Sequence, residues 1–168
     1  MLAQAALLIG DDPVQTAARC FRFVRDEIAH SVDINAEKVT CSASEVLREG
    51  HGYCYAKSHL LAALLRANGV HAGFDYQRLG DGEGGFMLHG FNTVLLPGVG
   101  WYRIDARGNK EGVDAQFTPP QERLAWSHDA QGEVHYRVNM AAPHPPVVAM
   151  LRRPLTVQQL WGVIPQGL

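Results

Sequence analysis

From Pro13 onward the apolar positions recur at helical spacing. Val14, Ala17, Ala18, Phe21, Val24 and Ile28 fall on one side of a 3.6-residue repeat, which predicts a helix over 13–30. Asp12 precedes it as an N-cap, Pro13 occupies the first turn, and Gln15 stands three residues after the cap. Residues 31–41 lose the repeat and read as a connection. Ser42-Ala43-Ser44-Glu45 has the layout of a capping box and opens a short helix that Gly50 ends. The longest periodic stretch starts near Tyr53 and runs to Asn68, where Asn68-Gly69 is a stop signal.

After Gly69 the pattern changes. Residues 70–79, 88–96 and 101–105 are short runs rich in apolar, β-branched and aromatic side chains, separated by the turn clusters "GDGEGG" and "PGVG". They are expected to be antiparallel strands, with a further strand at 134–138 and a last short helix in "TVQQLWGVIP". Helices first and strands afterwards predict an α+β domain with a central helix packed on an antiparallel sheet, one domain over 1–168. No internal repeat or low-complexity stretch is present.

Composition narrows the function classes. The 168 residues are 46% hydrophobic and 19% charged, as in ordinary globular domains, and the length supports a substantial core. Fifteen basic and 17 acidic residues leave a net charge of −2, and no basic tract suggests a nucleic-acid partner. No uncharged apolar run approaches a membrane span, and "MLAQAALLIGDD" lacks the layout of a secretory signal, so a cytoplasmic protein is expected. Three cysteines and no C-x-x-C argue against a disulfide framework and against a four-cysteine zinc site.

Of those cysteines, Cys54 occupies an unusual place. In "EGHGYCYAKSHLL" it stands where a glycine-rich loop becomes a helix. The reactive form of a thiol is the thiolate, and a free cysteine has a pKa of about 8.5. A pKa near 5 would need roughly 4 to 5 kcal/mol of preference for the anion at about 1.4 kcal/mol per unit. A helix N-terminus supplies about 0.3 to 1 kcal/mol, about 2 at most. An imidazolium partner must therefore supply the rest, and a third group should orient it. Gly50 and Gly52 permit the tight turn and the approach of a substrate to the Cys54 amide, a potential oxyanion donor. Cys54, Ser58, Leu61 and Leu65 share a stripe expected to face the sheet. Cys20, inside a helix, and Cys41, in the connection, read as buried packing residues.

Eight histidines are available: His30, His51, His59, His71, His89, His128, His135 and His144. His89 begins a strong strand pattern, Asp105 ends the next, and a turn at Pro97-Gly98 would bring the two roughly level across the ladder. An aspartate there would fix the imidazole tautomer. His51, Cys54 and His59 do not have zinc-ligand spacing, so no metal is expected and His51 and His59 read as surface or groove residues. "GDGEGG" has neither EF-hand nor phosphate-loop spacing and reads as a flexible loop beside the site. Trp101, Trp126 and Trp161 read as core or groove-lining, with core favoured for Trp101. Arg107 and Asn109 either line the cleft or lie on a solvated turn.

These pieces together resemble the transglutaminase-like superfamily, whose members share a papain-like thiol hydrolase core. The resemblance is carried by Gly52-Tyr53-Cys54, the helix ending Ala67-Asn68-Gly69-Val70, His89-Gly90-Phe91, and Gly100-Trp101-Tyr102-Arg103-Ile104-Asp105. "FRFVRDEIAHSVD" and "SASEVLREG" are similar to segments of bacterial members. Many relatives have His-Ala-Trp and Asp-Pro-Thr where this chain has His89-Gly90-Phe91 and Asp105-Ala106-Arg107. The resemblance implies Cys54 as nucleophile, His89 as general acid/base and Asp105 as orienting acid. It also implies a groove in which Gly52, Tyr53, Phe91 and His30 meet substrate; the motif does not identify the second oxyanion donor, for which His30, standing where relatives often have an aromatic, is a candidate.

The function so implied is thiol-dependent hydrolysis or acyl transfer at an amide bond through a thioester, on a peptide or protein substrate and without a cofactor. Peptidase, amidase and transglutaminase chemistry share that acyl-enzyme. Two other readings fit: a binding module on the same fold whose chemistry is lost, and an arylamine acyltransferase, whose flanking motifs fit less well.

Overall fold

The computed structural model describes residues 1–127 and 130–168, so His128 lies outside the described residues. A short helix, α1 (Leu2–Leu7), precedes α2 (Pro13–Arg22), whose Asp12 cap accepts a hydrogen bond from the Gln15 amide at 2.7 Å. The helix expected to reach residue 30 does not. After Arg22 the chain widens into a π-turn over Phe23–Glu27, and Ile28 is extended. A two-residue strand, β1 (Ala29–His30), follows.

Helix α3 (Ala43–Glu49) carries both halves of the Ser42/Glu45 capping box, and Gly50 ends it with φ +73°, the left-handed conformation that glycine adopts without steric cost. Strand β2 (His51–Gly52) pairs in parallel with β1, with Ala29 opposite His51 and His30 opposite Gly52. Helix α4 (Cys54–Ala67) starts two residues later.

Helix α4 is the core of the molecule. Rather than burying one stripe, it is covered nearly all round, and Lys57, Ser58 and His59 are buried along with its leucines. Helices α1, α2 and α3 flank it, and an antiparallel sheet closes the remaining side. That sheet comprises β3 (Ala72–Gly80), β4 (Phe86–Leu96) and β5 (Gly100–Ile104), as expected from the sequence. A hairpin of β6 (Gln116–Thr118) and β7 (Gln121–Arg123) lies beyond it. Strand β8 (Val134–His135) completes the four-stranded order β5-β4-β3-β8. The expected strand at 134–138 is cut short because Arg137 and Asn139 take positive φ, which breaks the extended run.

Helix α5 (Pro145–Leu151) and the Thr156-capped α6 (Val157–Leu160), prolonged by a 3₁₀ turn over Trp161–Val163, bring the C-terminal segment back across the molecule. Among the described residues no helix is long and apolar enough to cross a membrane. Trp101, expected in the core, is half-exposed. It stands on the edge strand β5 opposite Leu95, also exposed, so both project from the outer side of the sheet.

Candidate active site

The start of α4 is anchored by tight packing. Gly52 is not a groove residue. A Cβ there would lie 3.1 Å from the Ala56 Cβ and 3.2 Å from the Thr40 hydroxyl, so glycine lets β2 close against the first turn of α4. Tyr53 caps the helix without a side-chain hydrogen bond, since its hydroxyl donates to the Val157 carbonyl at 3.1 Å. Cys54 is the first helical residue and is buried to 6% exposure.

His89 lies on β4 and is almost fully buried. Its Nε2 is 2.8 Å from Asp105 Oδ2. The ladder pairs Asn92 with Ile104, so one further step sets Asp105 opposite Phe91, and His89 is its diagonal neighbour rather than level with it. The long imidazole spans that offset. Asp105 accepts two more hydrogen bonds, from the Arg107 amide at 3.1 Å and the Ala125 amide at 3.0 Å.

Electrostatics follow from this packing. Burial opposes charge on the His89 ring most strongly. The Asp105 carboxylate and the Cys54 side chain, each by charge and by hydrogen bond, together outweigh burial and raise its pKa to about 10. Burial also opposes the Asp105 charge, yet the His89 ring and the two amides hold its pKa below the ordinary carboxylate value. Because the carboxylate accepts from Nε2–H, Nδ1 is the ring nitrogen left for proton exchange. Cys20 and Cys41 are buried, and burial raises both thiols, Cys20 to about 11. All three cysteines are free.

Cys54 and His89 open into one cavity of about 730 Å³. Aromatic and apolar groups dominate its wall, among them Tyr53, Trp126, Trp161, Leu79 and Met87. The matching family model is that of the transglutaminase-like superfamily, and it spans residues 2–106, more than half of the chain and all three of these side chains.

The chain belongs to the transglutaminase-like superfamily. No curated protein matches it. Among solved structures, a candidate cysteine protease of Cytophaga hutchinsonii is 17% identical, with a TM-score of 0.51 over 63% of this chain and 36% of that one. The periplasmic domain of TgpA from Pseudomonas aeruginosa is 20% identical over 62% of this chain and 41% of that one, with a TM-score of 0.47. The chain thus spans less than half the length of either neighbour. The first likeness is one of fold, and the architecture is the papain/transglutaminase-like one.

Of the four residues expected to meet substrate, His30 and Tyr53 line the cavity. Gly52 and Phe91 do not: Phe91 lies on the same face of β4 as His89 but deeper, stacked on its ring at 5.8 Å. Trp126, on the cavity wall, meets that ring edge-on at 4.8 Å. Asn109 ties its own turn through a 2.8 Å bond from the Ala115 amide, whereas Arg107 is buried beside the cavity and bidentate to Asp33. His51 and His59, expected at the surface or groove, are buried and hydrogen-bonded to Ser31 and the Cys41 carbonyl. "GDGEGG" is tied rather than loose, since Asp81 Oδ1 accepts from the amides of Glu83 and Gly85.

Sequence reasoning missed Lys57. It is fully buried on α4 one turn below Cys54 and donates to the carbonyls of Ile28 and, at 3.5 Å, Arg25. Burial, aided by Arg107, lowers its pKa to about 7. The available signal was a lysine in an otherwise apolar helix, three residues after the cysteine.

Proposed function

We propose that this protein is a thiol-dependent amide hydrolase or acyl transferase, with Cys54 as nucleophile, His89 as acid/base and Asp105 as orienting acid. The observation that carries the reading is the buried His89–Asp105 pair, bonded at 2.8 Å, whose histidine shares a cavity with the thiol at the start of α4. In the resting pair Cys54 is the thiolate and His89 the imidazolium. The sulfur attacks the amide carbonyl, and a C–S bond forms as the carbonyl π pair moves onto oxygen. The oxyanion collapses, the C–N bond breaks, and the amine leaves with the proton from His89 Nδ1. Water or a second amine then attacks the thioester and gives Nδ1 a proton, and the C–S bond breaks to restore the thiolate. Asp105 keeps Nε2–H engaged, so Nδ1 stays on the reacting side.

The occupant of the groove is a peptide or protein carrying the amide, and its aromatic wall favours apolar side chains beside the scissile bond. Hydrolysis is the favoured outcome, with peptidase or amidase activity ahead of transglutamination. Three free thiols suit a reducing compartment, the cytoplasm.

A peptide library and glutamine donors, with and without an amine acceptor, test the reading against Cys54→Ala. Product formation abolished by the substitution is the expected result, and brief iodoacetamide treatment near pH 6 should modify Cys54 before Cys20 or Cys41. A thiol inert to alkylation together with no turnover would leave a binding module on this fold.

A further inference from the structure

A second cavity, of about 310 Å³, adjoins the one that holds the thiol. Val32, Asn35, Tyr53, Val157, Gln158 and Trp161 line it. Val32, Tyr53 and Trp161 line both cavities, so the two meet along those three side chains. Three segments far apart in sequence converge there: the connection after β1, the residue before Cys54, and α6 with its 3₁₀ turn.

The wall supplied by the last segment is fixed by main-chain bonds. The Val157 amide donates to the Glu37 carbonyl at 3.0 Å, and the Val157 carbonyl accepts from the Tyr53 hydroxyl at 3.1 Å. Beyond the turn, the Pro165 carbonyl accepts from the Leu88 amide at 2.7 Å. Val157 and Leu160 are buried beneath. The slot is therefore preformed, and half of its lining comes from a segment outside the 2–106 stretch that marks the superfamily.

The slot has one chemical character. Among the described residues that line it, none is charged. The Tyr53 hydroxyl is taken by Val157, and the Gln158 amide donates to the Ala36 carbonyl at 3.4 Å. What remains is apolar surface that the fold itself leaves uncovered, since Val32 is 39% exposed and Trp161 50%. A charged group between them would lose hydration with nothing to replace it. An aliphatic or aromatic group gains by covering both.

Position relative to the thiol decides which part of a substrate enters. The leaving amine must lie against His89, which protonates it, and Met87, Leu79 and Trp126 wall the cavity there. None of these, and no residue of β4, lines the slot. Nor does Cys54. The slot therefore faces the acyl portion, at a residue preceding the one whose carbonyl the sulfur attacks.

We infer that the slot between Val32 and Trp161 is a specificity site of this enzyme, taking one uncharged aliphatic or aromatic side chain from the acyl portion of a peptide. The inference rests on the thiol mechanism proposed above. It narrows the substrate from any amide to a peptide that extends beyond the attacked residue.

Peptidyl chloromethyl ketones test it, because the thiolate displaces chloride and leaves the peptide on the acyl side. The protein is treated with N-acetyl-X-Gly chloromethyl ketones in which X is Gly, Leu, Phe, Lys or Asp. The second-order rate of Cys54 alkylation is followed by mass spectrometry. Iodoacetamide, which carries no peptide, reads the thiol alone. The wild type should react with the Leu and Phe reagents about tenfold to a hundredfold faster than with the Gly, Lys and Asp reagents, and Trp161→Ala should bring the Phe-to-Gly ratio within about threefold. Val32→Glu should reverse the order and put the Lys reagent ahead of the Phe reagent. If Trp161→Ala does not fold by circular dichroism, Val32→Glu carries the test alone. A wild type that iodoacetamide alkylates but that shows no preference among the peptidyl reagents overturns the slot and leaves the thiol reading standing. A Phe-to-Gly ratio that survives substitution of the slot also overturns it, since the preference would then arise elsewhere in the cavity. A wild type whose Cys54 reacts with none of the reagents, iodoacetamide included, removes both readings together.

Discussion

Asp105 is a buried carboxylate with three donors around it, His89 Nε2 and the amides of Arg107 and Ala125. The two amides fix its orientation independently of the histidine, so its charge falls on one ring atom. That arrangement makes a specific prediction for Asp105→Asn. The amide is nearly isosteric, but it removes the charge that opposes burial at His89, whose pKa of about 10 depends on it. Without that charge the imidazolium is easier to deprotonate, and the alkaline limb of kcat/KM moves toward neutrality. The rate on the plateau should fall by about two to four orders of magnitude with KM little changed. The measurement is kcat/KM against pH for both proteins on a substrate from the library. Two profiles equal in height and width would remove Asp105 from the mechanism. Cys54, His89 and Asp105 could be singled out as candidates from the sequence because each stands beside a glycine, a helix start or a strand end. Lys57 was not legible, because burial of a cation against the Ile28 and Arg25 carbonyls is a property of packing and not of residue order.

At the scale of elements, the junction between α4 and β4 explains a departure from the family pattern. Relatives commonly carry alanine after the histidine, and this chain has Gly90. A Cβ at Gly90 would stand 2.7 Å from a ring carbon of Tyr55, which is fully buried and donates to the Leu88 carbonyl. The residue after Cys54 and the residue after His89 are thus a packed pair: the large ring on the helix requires the bare backbone on the strand. Gly90→Ala should destabilise the fold by about 1 to 3 kcal/mol through overpacking. Tyr55→Leu should be costly alone, yet Gly90→Ala should be far milder in the Tyr55→Leu background. Denaturant unfolding of the four proteins reads the coupling, and purely additive effects would refute the pairing. Such complementarity between residues 35 positions apart is invisible to periodicity. The same is true of the π-turn after Arg22, because Val24 and Ile28, four apart, suit a helix of either kind. By contrast the caps of α2, α3 and α6 are local chemistry, and Asp12, the Ser42–Glu45 box and the ends of α4 were read directly.

Across the whole molecule, the histidines divide by environment. Burial lowers the pKa of His30, His51, His59 and His144 below the ordinary value, and only His89 is raised among the described histidines with a shift. The four lowered rings bind fewer protons in the folded state than in the unfolded chain, so folding weakens as pH falls through about 6.5, the unfolded value. For His30 that loss continues down to about 3, where the folded ring finally protonates. His89 has the opposite sign. Its contribution is complete below about 6.5 and is lost as pH rises toward about 10. Lys57, lowered to about 7, counters it on the alkaline side, because the stability withheld by its burial returns progressively as pH rises from about 7, where the folded lysine deprotonates, to about 10.4, where the unfolded one does. The net expectation is a protein sensitive to mild acid and comparatively indifferent to mild alkali. His30 is the most strongly shifted of the four rings and should contribute a slope of up to about 1.4 kcal/mol per pH unit between roughly 6 and 4. Thermal midpoints of the wild type and His30→Phe, taken at half-unit steps from pH 8 to 4.5, isolate that share. The wild-type midpoint should fall more steeply below pH 6.5 than that of the variant, whatever their difference at pH 8. Parallel curves across the acid range would mean that the folded protein protonates His30 as readily as the unfolded chain does, and the acid sensitivity would then have to come from other groups.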